Sequence, residues 1–263
     1  MEISIIILSY KMKRLVGNCL RYLQEHPLDI PSEIIVVDND SRDEIRDMMS
    51  TQFPSVKFIL SDRNLGMGGG NNIGIRAANG NYILILNPDI YIKGDVIKKM
   101  YDYLATHRSV GLIAPRLLNP DGSLQETCYR WYKPITPLLR RSSFGQWPAA
   151  KKHLDQFLMK DFDHETIGEV NWIQGSCFMV PRTVFDQVGL FDESFFMYFE
   201  DTDLCRRIWD HNYKVVYDGT DTAIHLHAKM SGGGLKQLLF NPLTRAHVKS
   251  WMKYLRKHHW SKK

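Results

Sequence analysis

Residues 81–90 read NYILILNPDI, an apolar run from Tyr82 to Leu86 followed by Asn87, Pro88 and Asp89. A short, uninterrupted apolar run suits a strand buried on both faces, and Pro88, which cannot donate to a ladder, helps to stop it there. The same pattern recurs on either side. Ile3–Leu8, Glu33–Val37, Val56–Leu60 and Val110–Ala114 read as further strands, with helical patterns near 12–24, 42–51, 71–79 and 95–106 between them. This alternation predicts an α/β fold: a mostly parallel sheet flanked by helices on both faces. Ligands of such sheets bind outside the C-terminal ends of the strands. Ser9-Tyr10, Asp38-Asn39-Asp40 and Asn87-Pro88-Asp89 fall at three of those ends. That rim is the candidate site.

The 263 residues are 44% hydrophobic and 24% charged, enough apolar side chains for the full core of a globular protein. Cys19, Cys128, Cys177 and Cys205 lie far apart with no CxxC pair. That spacing argues against a zinc cluster or a disulfide framework and fits a reducing cytosol. No apolar run reaches the roughly 20 residues that cross a bilayer, and the first apolar stretch is too short for a signal peptide. The net charge of +5 is uneven: residues 236–263 carry eight Lys/Arg and no acid. The remaining 26 basic side chains face 29 acidic ones, which excludes a basic nucleic-acid groove across the fold. A local attraction to anionic lipid fits better.

Between Arg116 and Val170 the periodicity fades. Pro134, Pro137 and Pro148 and the basic pairs Arg140-Arg141 and Lys151-Lys152 mark an irregular, partly helical insertion and not a second domain. Regular structure returns with a strand at Ser176–Val180, a short helix from Pro181 to Val188, a helix opened by Asp201 and a strand at Lys214–Tyr217.

Three further stretches carry chemistry. RNLGMGGGNNIG (63–74) is glycine-rich and leads into a helix, where backbone can approach a phosphate. It matches neither a dinucleotide fingerprint nor a P-loop, so on its own it reads as a flexible loop. FFMYFEDTDLCRRIW (195–209) places Glu200, Asp201 and Asp203 at a helix start. They serve there as caps, while the helix dipole keeps Asp201 ionised, as a general base requires. In AIHLHAKMS (223–231), His225 and His227 stand two residues apart in a strand-like stretch.

Together these blocks resemble glycosyltransferase family 2, and within it the rhamnosyltransferase-like branch. The resemblance rests on SIIILSYKMKRLVGNCLRYL, EIIVVDNDSRD, NLGMGGGNNIGIRAANGNYILILNPDI, WIQGSCFMVPRTVFDQVGLFDESFFMYFEDTDLCRRI and HLHAKMS, in the family's order over roughly residues 2–232. It implies a GT-A fold over residues 1–235, with a nucleotide-sugar half (1–115) and an acceptor half (116–235), and an inverting transfer. It also implies that Ser9, Tyr10, Asp38 and Asn39 hold base and ribose, with Asn64, Gly66 and Asn87 nearby on the donor. Asp89 matches the aspartate that binds Mg²⁺ or Mn²⁺, assisted by a late histidine, His227 in first place and His225 as the alternative. Asp201 matches the catalytic base, with Trp172, Gly175 and Glu200 on the acceptor side. One departure stands out: the family's usual DxD is Asn87-Pro88-Asp89 here, which leaves a single strong ligand, in a form resembling the rhamnosyl branch. The implied partners are a nucleotide-sugar donor, dTDP-rhamnose foremost, and a saccharide or lipid-linked saccharide acceptor at the inner membrane face. A nucleotidyltransferase would instead need a basic, glycine-rich loop where Ser9-Tyr10-Lys11-Met12 stands.

Residues 236–263 form a basic tail outside the resemblance. Val248, Trp251, Met252 and Leu255 share one helical face, and Lys249, Lys253, Arg256 and Lys257 fill much of the rest. Such a helix suits an anionic membrane surface, or it packs on its own domain with the basic face in solvent.

Overall fold

The computed structural model describes residues 1–226 and 242–260. Its first part follows the predicted alternation: β1 (Ile3–Ser9), α1 (Lys13–Glu25), β2 (Ser32–Asp38), α2 (Ile45–Gln52), β3 (Lys57–Leu60), α3 (Gly66–Ala77) and β4 (Tyr82–Leu86). A short β5 (Ile90–Tyr91) precedes α4 (Gly94–Thr106) and the long β6 (Val110–Leu118). The insertion holds β7 (Cys128–Tyr129), α5 (Thr136–Arg141), a 3₁₀ turn (Ser143–Gln146), α6 (Pro148–Phe157) and β8 (Ile167–Glu169). The chain continues through β9 (Trp172–Ile173), β10 (Cys177–Pro181), α7 (Arg182–Val188), α8 (Glu200–Asp210), β11 (Lys214–His225) and α9 (Pro242–Leu255), which runs into a π-helical turn (Arg256–Trp260).

Among the described residues the main sheet runs β3-β2-β1-β4-β10-β6-β11-β5, with β8 beside β11. β1 to β4, β6 and β11 share one direction; β10 is the long strand that runs against it, wedged between β4 and β6. Alternate residues feed two cores. Ile5, Ile7, Val36, Leu84, Leu86 and Met179 meet α1, α2 and α4 on one face, and Ile6, Leu8, Ile35, Ile83, Ile85 and Phe178 meet α3, α7 and α8 on the other. Period-two alternation of this kind puts successive side chains on opposite faces of one sheet.

The glycine-rich run is not a flexible loop. It is the first two turns of α3, which begins at Gly66, five residues before the helix expected at 71–79. Helix propensity alone would not predict this, because each glycine costs about 1 kcal/mol relative to alanine. Close packing explains it. A Cβ on Gly74 would lie 2.4 Å from Ile6 Cγ2, and one on Gly70 would lie 2.4 Å from Leu8 Cδ1, so α3 sits on the sheet at a distance only glycine permits.

The tail helix lies against its own domain. Tyr254 and Leu255 are buried, Ser250 Oγ donates to the Met197 carbonyl at 2.9 Å, and Lys253 Nζ donates to the Ser194 carbonyl at 2.7 Å. Lys257 pairs with both Asp192 and Asp203 at 2.7 Å, and His258 Nε2 meets Asp203 at 2.7 Å. The inward face is therefore rotated from the stripe expected in the sequence: Met252 of that stripe points to solvent, 53% exposed.

Candidate active site

Ser9 and Asp38 are register partners at the tips of β1 and β2. Both are buried, and Asp38 Oδ1 accepts the Ser41 backbone N–H at 3.1 Å. Burial raises the Asp38 pKa, with that hydrogen bond pulling the other way. Among the described residues Ser9 Oγ has no hydrogen-bond partner. Tyr10, one residue on, is 41% exposed. The rim thus offers a buried hydroxyl, a buried carboxyl and an open aromatic ring.

Asn39 and Asn64, expected on the donor, brace the chain itself, Asn39 through both ends of its amide and Asn64 through its Oδ1. Asn39 Nδ2 donates to Asn64 Oδ1 at 3.0 Å and to the Gly66 carbonyl at 3.1 Å, while its Oδ1 accepts the Leu65 N–H at 2.9 Å. Asn64 Oδ1 also accepts the Gly66 N–H at 2.9 Å. Gly66 has φ +74°, and a Cβ there would lie 1.9 Å from the Phe196 carbonyl oxygen, which itself accepts the Met67 N–H at 2.9 Å. The asparagines and Gly66 therefore clamp the start of α3 to the FFMYFED segment.

β10 carries the next connection. Its antiparallel register on β4 sets Cys177 opposite Leu86, and the Asn87 N–H donates to the Ser176 carbonyl at 2.8 Å. One residue earlier, the Gly175 N–H donates to Asp201 Oδ2 at 2.9 Å, and a Cβ on Gly175 would lie 3.2 Å from Asp201 Cβ. Neighbouring peptides of one segment thus hold both the NPD turn and the catalytic candidate. Sequence periodicity does not show that β10 lies here, because strand order is set by packing.

Asp89 sits beside His225. β5 pairs with the end of β11, the Leu226 N–H donates to the Asp89 carbonyl at 2.9 Å, and His225 Nε2 lies 3.3 Å from Asp89 Oδ2. His227, favoured from the sequence, lies outside the described residues. Gln125, which nothing in the sequence singled out, orients His225. Ser123 Oγ donates to Asp121, so it accepts from Asn119 Nδ2 at 2.8 Å; Asn119 Oδ1 then accepts Gln125 Nε2 at 2.7 Å. Gln125 Nε2 also donates to the His225 carbonyl at 3.1 Å. Its Oε1 is left to accept from His225 Nδ1 at 2.8 Å, so the imidazole turns the Nε2 lone pair toward Asp89. A carboxylate and an imidazole lone pair facing each other suit a shared divalent cation, with the remaining positions filled by phosphate or water oxygens. Among the described residues no third histidine, cysteine or acid completes a three-ligand cluster.

Asp201 is held on both oxygens: Oδ2 by Gly175, and Oδ1 by the Thr202 N–H at 2.6 Å. Burial raises its pKa, and those amide donors oppose the rise. Glu200 is buried with Oε2 lacking a partner among the described residues, and burial together with the Asp201 charge lifts its pKa well above the usual carboxyl range. Burial thus disfavours the charged form of both acids, with only Asp201 holding amide donors on both oxygens. Tyr198 and Phe199, just before them, both adopt left-handed backbone (φ 68° and 69°). Such strain costs on the order of 1–3 kcal/mol per residue and concentrates at functional sites. No sequence signal marks it, since neither residue is Gly or Asn.

Trp172, expected on the acceptor side, is buried below it. Its indole N–H donates to the Arg130 carbonyl at 3.0 Å, and its ring stacks on Tyr129 and Tyr132 with centroids 4.3 and 5.2 Å away. Tyr132 lies near enough to Asp201 that the carboxylate adds to burial in raising the phenol pKa, while Arg140 works against it; the outcome is about 12.

These features define an α/β protein with acids gathered at the C-terminal ends of its parallel strands and at the start of α8. Residues 4–189 match Glycosyl transferase family 2, and the chain belongs to that family. It is 34% identical over 233 residues to the low-salt glycan biosynthesis hexosyltransferase Agl10 of Haloferax volcanii, spanning 85% of this chain and 67% of that protein. It is 26% identical over 213 residues to the N-acetylglucosaminyl-diphospho-decaprenol L-rhamnosyltransferase of Mycobacterium tuberculosis, spanning 77% of this chain and 69% of that one. Its fold is similar to GalNAc-T7 solved with UDP, GalNAc and Mn²⁺, with a TM-score of 0.68 and 13% identity over all of this chain and 48% of the other. The protein is a glycosyltransferase of GT-A fold.

Proposed function

We propose that the protein transfers rhamnose from dTDP-rhamnose, with inversion, to a hydroxyl of a lipid-linked saccharide at the cytoplasmic membrane face. The observation that carries the reading is the Gly175–Ser176 segment, whose neighbouring peptides bond Asp201 and Asn87. It supports one shared cleft for a base and a donor-side acid. In that cleft Asp201 takes the proton from the acceptor hydroxyl as its oxygen attacks the anomeric carbon. The bond to the nucleoside diphosphate breaks on the opposite face, through an oxocarbenium-like transition state. Fixed amides hold the carboxylate in place, and its burial moves its pKa toward working pH, which favours a base. Ser9, Tyr10 and Asp38 line the rim for base and ribose. Asp89 and His225 would hold Mg²⁺ or Mn²⁺, which when bound supplies positive charge to the departing diphosphate.

Similarity to a diphospho-decaprenol L-rhamnosyltransferase supports the sugar and the acceptor class. Release of nucleoside diphosphate, measured with and without a lipid-linked acceptor, tests both. The expected result is acceptor-dependent release that is fastest from dTDP-rhamnose. Faster release from a UDP- or GDP-sugar would reassign the donor, and no release from any of them would overturn the reading.

A further inference from the structure

We propose that residues 133–152 form the surface by which the protein docks on an anionic bilayer. Ile135, Leu138, Phe144 and Trp147 are 52%, 47%, 54% and 63% exposed, large apolar side chains left in solvent within thirteen residues. Phe144 and Trp147 pack edge to face at 5.0 Å, presenting one aromatic wedge. Single exposed apolar residues are ordinary; a cluster of this kind marks an interaction surface.

Charge identifies the occupant. Between Glu126 and Asp155 there is no acidic residue, while Arg130, Lys133, Arg140, Arg141, Lys151 and Lys152 are all basic. Among the described residues, Lys133, Arg140, Arg141 and Lys152 make no ion pair, whereas Arg130 and Lys151 pair with Asp161 and Asp155. Exposed apolar side chains with tryptophan, in a segment most of whose cations lack ion-pair partners and whose sequence holds no acid, suit the interface of a negatively charged membrane. A protein partner of ordinary composition would require acids to face these cations; a bilayer supplies both the anionic headgroups and the apolar depth. Two of the five Lys/Arg of the tail helix and its π-helical turn, Lys253 and Lys257, are instead committed to Ser194, Asp192 and Asp203.

The surface also adjoins the aromatic cluster next to Asp201. The Arg140 guanidinium lies 5.5 Å from the Phe157 ring and 5.9 Å from the Tyr129 ring, over the cluster that contains Tyr132 and backs Asp201. A bilayer held here would deliver a lipid-linked hydroxyl to the base, a use that rests on the proposed acceptor; the docking itself does not.

Co-sedimentation of the full chain with vesicles of phosphatidylcholine, with or without phosphatidylglycerol, tests the proposal. Binding should need phosphatidylglycerol and weaken with salt. Phe144→Ser/Trp147→Ser should reduce it by roughly tenfold or more, while Lys249→Gln/Arg256→Gln on the tail should leave it within about twofold. Both pairs are solvent-facing, and nucleoside diphosphate release with a water-soluble acceptor, unchanged in the first pair, reports that the fold and the chemistry are intact. Undiminished binding of the Phe144/Trp147 variant, loss in the tail variant alone, or no binding to anionic vesicles would overturn the proposal. Loss of release in the wild type would count against the proposed transfer instead.

Discussion

Gln125 illustrates how a side chain a hundred positions away can set the chemistry of a histidine. Its amide is oriented by Asn119, so its oxygen faces His225 Nδ1 and fixes which imidazole nitrogen meets Asp89. Loss of such an outer partner typically costs 10–100-fold in metal affinity or activity. Gln125→Leu should therefore raise the Mn²⁺ concentration for half-maximal turnover by roughly that factor; an unchanged metal titration would remove His225 from the proposed cation site. Glu200 makes the complementary case. Burial and the Asp201 charge both disfavour its ionised form, and Glu200→Gln puts a neutral group of similar shape in its place. Turnover of that variant should stay within about threefold of wild type, whereas a base at that position would show a loss of about 10²-fold or more.

The elements of the first half were legible because each strand was a compact β-branched run that ended in polar residues. β4 falls where NYILILNPDI puts it, β1 and α4 differ from expectation by one residue at one end, and β2 by one residue at each end. What the sequence hid were the effects of long-range packing. The glycines of α3 read as a loop because local propensity opposes a helix there, and the contact with Ile6 and Leu8 that rescues it is not local. The reversed strand β10 reads like its parallel neighbours, yet its position is what brings Gly175 to Asp201. Asn39 and Asn64 read in the sequence as donor-side residues, not as the braces for Gly66 that their hydrogen bonds make them. That bracing gives a test at the scale of the element. Gly66→Ala must bear left-handed backbone and a clash with the Phe196 carbonyl, so it should destabilise the fold by about 2 kcal/mol or more in denaturant titration. Donor binding should fall with it. A variant as stable as wild type would mean that the clamp between α3 and the FFMYFED segment is not rigid.

Across the molecule, the tail helix closes over the strained aromatic run that precedes Glu200. His247 of α9 lies 4.8 Å from Tyr198 and 5.3 Å from Phe199, ring to ring. Burial, then Arg141 and Arg140, lower its pKa from 6.5 to about 3. The unfolded chain would take up this proton near pH 6.5 while the folded protein refuses it until about pH 3. This contribution to stability is therefore complete above pH 6.5 and drains away as pH falls toward 3. His247→Gln should flatten the fall in thermal midpoint between pH 7 and pH 5, and parallel curves for the two proteins would contradict that origin. The same helix is anchored by Asp203. Burial alone would raise the Asp203 pKa, but His258, Arg207 and Lys257 together lower it. Tail, strained turn and Asp201 thus form one assembly joined to the NPD turn through Gly175 and Ser176, and the proposed transfer requires the two acids to serve a single bound donor. Calorimetric titration of Asp201→Asn and Asp89→Asn with dTDP-rhamnose and Mg²⁺, paired with nucleoside diphosphate release, tests this most directly. Asp201→Asn should bind donor like wild type and lose about 10²–10⁴-fold in turnover, and Asp89→Asn should lose donor affinity by about tenfold or more. Near-normal turnover of the first variant with donor bound, or wild-type affinity and turnover in the second, would contradict the account.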